Sequence, residues 1–185
     1  MKHLKFIIIP LLSLILASCG SNLPAKSSIE EGSGVFAIPK SMKSNTNFQS
    51  GWKTELQVTD ANGKVMDEPI RLHPISGRQF LFVKNFSAGD YAVTGLRRVA
   101  AGRNAVGPSR PMIILDRGIP FTIVAGEITV FPIIYAVFNE VEASDGNRAI
   151  SRLEANPLVG EELEEFKAVM AKVNKNNEWK VNWPK

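Results

Sequence analysis

From residue 35 to residue 138 the apolar positions come in short runs and in two-residue alternation, the two patterns of β-strands. Val35-Phe36-Ala37-Ile38 is a run closed by Pro39. Trp52, Thr54, Leu56 and Val58 alternate with Lys53, Glu55 and Gln57, which predicts a strand with one buried face. Asp60-Ala61-Asn62-Gly63 offers a tight turn into Lys64-Val65-Met66, a hairpin signal. Residues 80–83 are apolar throughout, as in a strand covered on both faces, and further runs occupy 91–94, 112–115, 121–124 and 128–138. Pro132 cannot donate to a ladder, so it marks an edge or a bulge in the last run. No helical period intervenes, which favours an antiparallel sandwich over an alternating α/β fold. The pattern then changes. Val159, Leu163, Phe166, Met170 and Val173 make one helical stripe, with Asn156-Pro157 as its expected N-cap and first turn. Glu161, Glu162, Glu164 and Glu165 lie near its start, where negative charge suits the helix dipole. Beyond it Trp179, Val181 and Trp183 alternate with Lys180 and Asn182, an extended tail with one aromatic face.

The N-terminus has a different layout. Met1-Lys2-His3-Leu4-Lys5 is a short basic start, and residues 6–16 are uncharged and apolar apart from Pro10 and Ser13. That core is too short to span a bilayer of about 30 Å, and with the small residues Ala17 and Ser18 it has the form of an export signal. Leu16-Ala17-Ser18-Cys19 resembles the bacterial lipobox. The resemblance implies cleavage before Cys19, a diacylglycerol thioether on its sulfur and acylation of the new amino terminus. Two or more acyl chains suffice for stable anchoring. Gly20, not Asp, follows Cys19, and in a cell with two membranes this implies sorting to the outer one.

Composition sharpens that reading. The 185 residues carry a formal charge of +4, one Cys and two His. One Cys excludes an intramolecular disulfide and any Cys-cluster metal site. Loss of residues 1–18 removes Lys2 and Lys5, leaving 20 basic and 18 acidic residues, a charge of +2, and His73 as the one remaining histidine. Part of the basicity therefore belongs to the export signal, and a nucleic-acid partner is not expected. The organisation read from the chain is a signal peptide over 1–18, then lipidated Cys19 with a flexible tether over 19–34. A β-sandwich over 35–140 follows, and a helix and aromatic tail over 141–185 pack on it.

Two stretches echo each other: Ala88-Gly89-Asp90-Tyr91-Ala92-Val93 and Ala125-Gly126-Glu127-Ile128-Thr129-Val130, in each of which Ala-Gly-acid launches a strand. The first, preceded by Phe86-Ser87, together with Phe121-Thr122-Ile123-Val124 before the second, resembles carboxypeptidase-regulatory-like (transthyretin-like) β-sandwich domains over about residues 50–138. It is also similar to bacterial lipoproteins carrying such a domain. The resemblance implies a noncatalytic seven-strand sandwich and brings no catalytic residues.

Candidate chemistry is sparse. Residues 71–117 hold eight basic and two acidic residues, against three and eight over 139–170. The Gly-, Arg- and Pro-rich segment 95–110 reads as a long loop, and Arg97, Arg98, Arg103 and Arg110 make it a candidate for capturing phosphate or carboxylate. The alternative is that these arginines face the acidic helix or lie solvated. Trp179 and Trp183 either cover the sandwich or dock a partner. His73 could serve a hydrolase, but no nucleophile-elbow, phosphate-loop, dinucleotide or metal-spaced motif accompanies it. No catalytic residue, metal or cofactor is assigned. The expectation is a lipid-anchored, noncatalytic envelope protein that binds an envelope protein, a glycan or anionic lipid, or serves as a subunit docking through its C-terminal helix or tail.

Overall fold

The computed structural model describes residues 23–44, 52–72, 77–100, 109–142, 148–176 and 178–184. Among them are ten strands and one α-helix: β1 Ser33–Ser44, β2 Trp52–Asp60, β3 Ile70–Leu72, β4 Gly77–Ser87, β5 Gly89–Ala100, β6 Ile113–Ile123, β7 Ile128–Val130, β8 Ile133–Glu142, β9 Arg148–Pro157, α1 Gly160–Val173 and β10 Val181–Asn182. They build two sheets. One runs β3-β2-β5-β6, with every pairing antiparallel.

The other is centred on β1. β4 lies antiparallel along one edge of β1, while β7 and β8 follow one another, both parallel, along the opposite edge. β10 continues outward from β7 and β9 from β8. Pro132 is what divides the run 128–138 into β7 and β8. The sandwich is therefore mixed, where an antiparallel one is expected from sequence. β7 and β8 come back beside β1 after the chain has crossed to the other sheet through β5 and β6.

The molecule has three layers, because the central sheet is covered on both faces. Phe36 and Ile38 of β1 point into the core between the sheets, while Val35 and Ala37 point into a second core under α1. In β4, Leu81 and Val83 serve the first core and Phe80 and Phe82 the second. The uninterrupted apolar runs at 35–38 and 80–83 have this cause. Between the sheets, Phe36 stacks on Phe121 with ring centroids 4.1 Å apart, and Phe86 and Phe131 meet it at 5.6 and 5.5 Å. Under α1, Phe166 and Met170 are buried against Val130, Ile134 and Phe80, whose ring meets Phe166 edge-on at 5.3 Å.

Three boundaries differ from the sequence reading. The sheet does not end at residue 140: β9 pairs with β8 from Glu142↔Arg148 to Ile133↔Pro157. Its polar composition hides it, since it lies at a sheet edge and is held mainly by backbone hydrogen bonds. Pro157 accordingly belongs to β9, and α1 starts three residues later. Val159 is the N-cap without a side-chain hydrogen bond, and Gly160 supplies the left-handed φ of 58° that turns the chain off the sheet. Finally, the expected tether over 19–34 is docked from Leu23 onward. Leu23 and Ile29 pack on the second core, residues 26–28 form a short 3-10 turn, and the Glu30 amide donates to Asn85 Oδ1 at 3.1 Å.

Candidate functional site

The expected arginine loop is in part a strand. β5 runs through Ala100, so Arg97 and Arg98 are ladder residues paired with Glu55 and Thr54 of β2. Glu55 is the centre of the arrangement. Thr54, Leu56 and Val58 of β2 are buried, the last two in the core between the sheets, so Glu55 projects from the opposite, outer face. Its cross-strand neighbours are Arg71 on β3 and Arg97 on β5. Arg71 Nε donates to Glu55 Oε1 at 2.8 Å, and Arg97 donates to Oε2 through Nε at 2.8 Å and Nη2 at 2.7 Å. The two guanidinium groups cover the carboxylate so completely that its side chain is 4% exposed, while theirs remain 61% and 40% exposed. The Arg71 hydrogen bond, with help from Arg97, holds the Glu55 carboxyl below the usual carboxylate range against the opposing effect of burial. Arg97 is thus engaged by a strand neighbour, not by the acidic helix.

Arg98 is half-buried, and its carbonyl accepts the Arg110 amide at 2.8 Å as the chain returns beside β5. Burial first and the nearby Arg110 second lower the pKa of Arg98. Arg110 is exposed. Arg103 and His73 lie outside the described residues, as do Leu16, Ala17, Ser18 and Cys19. Among the described residues, Arg78 of β4 does face the acidic helix: its Nη1 meets Glu165 Oε2 at 2.5 Å and its guanidinium lies over the Phe166 ring.

The aromatic tail joins the two ends of the described chain. Trp179 is 3% exposed in the second core, and its indole N–H donates to the Pro24 carbonyl at 3.1 Å. The Asn174 side chain bonds both backbone groups of Trp179. Trp183 is half-buried, 6.3 Å from the Phe80 ring. Farther along, the Glu127 carboxylate receives Lys180 Nζ at 2.8 Å and Asn182 Nδ2 at 2.6 Å, which fixes β10 to β7. The Lys180 hydrogen bond, followed by that of Asn182, lowers the Glu127 pKa. The sequence marks Glu127 only as a turn acid; its task is to latch the tail. The helical stripe is also used internally, for Leu163, Phe166, Met170 and Val173 all face the second core.

A cleft of about 280 Å³ lies between residues 23–25 and 173–176 and is lined also by Glu178. Lys26, Lys172, Lys175 and Lys180 are all exposed here or on the adjoining tail, and Lys26 Nζ donates to the Glu178 carbonyl at 3.2 Å. Among the described residues no group of three or more His, Cys, Asp or Glu side chains is placed to hold a metal ion, and no helix is long and apolar enough to cross a membrane. The sequence matches no protein-family model and no curated protein.

Proposed function

We propose that the protein is exported, cut before Cys19 and held by lipid at an envelope membrane, the outer one where the cell has two. There it serves as a noncatalytic binding or structural component. The observation that carries this reading is Leu16-Ala17-Ser18-Cys19 at the end of a basic-then-apolar start. The fold is compatible with that cut: the described residues begin at Leu23, four positions after Cys19, and Leu23 already packs on the second core. The sandwich we read as carboxypeptidase-regulatory-like, on two face-packed sheets and on the Ala-Gly-acid stretches, one of which opens β5 and the other of which precedes β7.

The partner we propose is an envelope protein, a glycan or anionic lipid. Docking through Trp179 is the weaker form of the idea, because that indole is engaged inside the fold. The test of anchoring is metabolic: labelled palmitate should enter the wild-type chain and sediment with membranes, and Cys19→Ala should abolish both. Equal labelling of the two chains would refute the anchor. In-cell crosslinking of the wild-type chain would then identify the partner.

A further inference from the structure

Anchoring at Cys19 would constrain how the folded domain sits on its membrane, because so little chain separates the lipid from the fold. Four residue steps lead from Cys19 to docked Leu23, and even fully extended they reach only about 14 Å. Leu23 packs at one end of the second core, beside Val173 and Asn174 at the C-terminal end of α1. That end of the helix must therefore lie close to the membrane surface, whatever path residues 20–22 take.

The charge along α1 agrees with this placement. Its first two turns carry Glu161, Glu162, Glu164 and Glu165, whereas its last turn has Lys172, with Lys175 just beyond and Lys26 beside the cleft. The 14-residue helix is about 21 Å long, roughly twice the distance over which salt at 0.1 M screens charge. The two ends thus experience different fields near an anionic surface. A bilayer containing anionic lipid attracts the lysine end and repels the glutamate end.

We propose that the surface formed by residues 23–28 and the C-terminal end of α1 is the membrane-apposed face. Lys26, Lys172 and Lys175 meet anionic lipid headgroups there, and the acidic start of α1 points away from the bilayer. This rests on the lipid-anchor reading of Cys19. The occupant is a lipid surface, since both the short span to the anchor and the sign of the charges specify one.

The test uses the full chain purified from membranes and reconstituted in phosphatidylcholine vesicles with or without phosphatidylglycerol. A fluorophore is placed on α1 through Ala171→Cys or Glu161→Cys, both exposed positions, and quenched by headgroup-labelled lipid. Cys19 as a thioether takes no label. Quenching should be several-fold stronger at position 171 than at 161. The difference should widen with phosphatidylglycerol and shrink when Lys26, Lys172 and Lys175 are all changed to Gln. Equal quenching, or stronger quenching at 161, in a protein whose mass shows acylated Cys19 overturns the orientation alone. A mass showing unmodified Cys19 overturns the anchor and the orientation with it.

Discussion

Glu55 keeps its charge on the outer face of a sheet because two arginines surround it, one from each neighbouring strand. Replacing it by Ala leaves Arg71 and Arg97 facing each other, and at pH 7 the loss should be about 1.5–3 kcal/mol in urea unfolding, the range for hydrogen bonds to charged groups. Arg97→Ala should cost less, since Arg71 remains. The pH dependence has a definite sign. A carboxyl whose folded pKa lies below its ordinary value of 4.5 stabilises fully above that pH and loses the contribution as the pH falls through the folded value. The stability gap between wild type and Glu55→Gln should therefore be widest at neutral pH and close in acid. Tyr135 is the converse. The residue is 1% exposed, its hydroxyl has no hydrogen-bond partner among the described residues, and burial pushes its pKa up. Tyr135→Phe should be neutral or stabilising by up to about 1 kcal/mol. Gly34 is a matter of space. A Cβ there would collide with the Val124 and Glu127 carbonyls where β1 crosses the turn before β7, so Gly34→Ala should cost about 1–3 kcal/mol in thermal unfolding.

At the scale of elements, the C-terminal tail acts as a clasp. Trp179→Ala removes both a buried aromatic and the bond to Pro24, with an expected loss of about 3–5 kcal/mol. Amide exchange should quicken at Ile29 and Val35 as well as in the tail. Deleting 175–185 should for the same reason destabilise the domain, and an unchanged melting temperature would show that the tail is an appendage. Elements were legible in the sequence where side-chain burial defines them. The runs at 35–38 and 80–83 require cover on both faces, and the stripe from Leu163 to Val173 requires one buried helix face. Elements held by backbone pairing or charge were not. β9 carries a weak apolar alternation, and the outer end of β5 is held by Arg97 on Glu55, a pair invisible to hydrophobic periodicity. The contact between Trp179 and Pro24 joins positions 155 residues apart, and no local pattern announces it.

For the molecule as a whole, the layering assigns separate tasks to separate faces. The outer face of the β3-β2-β5-β6 sheet carries the Arg71–Glu55–Arg97 row, and the opposite layer carries α1 and the two ends of the described chain. Arg97, Arg98 and Arg110 were legible as a basic cluster, but the use of Arg97 depends on a glutamate more than forty residues away. The lipid anchor proposed at Cys19 rests on a linear segment, because export and lipidation enzymes read such a segment independently of the fold. The central claim is that Cys19 is the lipid-bearing first residue of the mature protein. Intact-mass analysis of the protein purified from membranes tests it most directly. The expected species starts at Cys19 and carries the added mass of diacylglycerol and an N-acyl chain. A chain that retains Met1, or one whose Cys19 is unmodified, would contradict the claim.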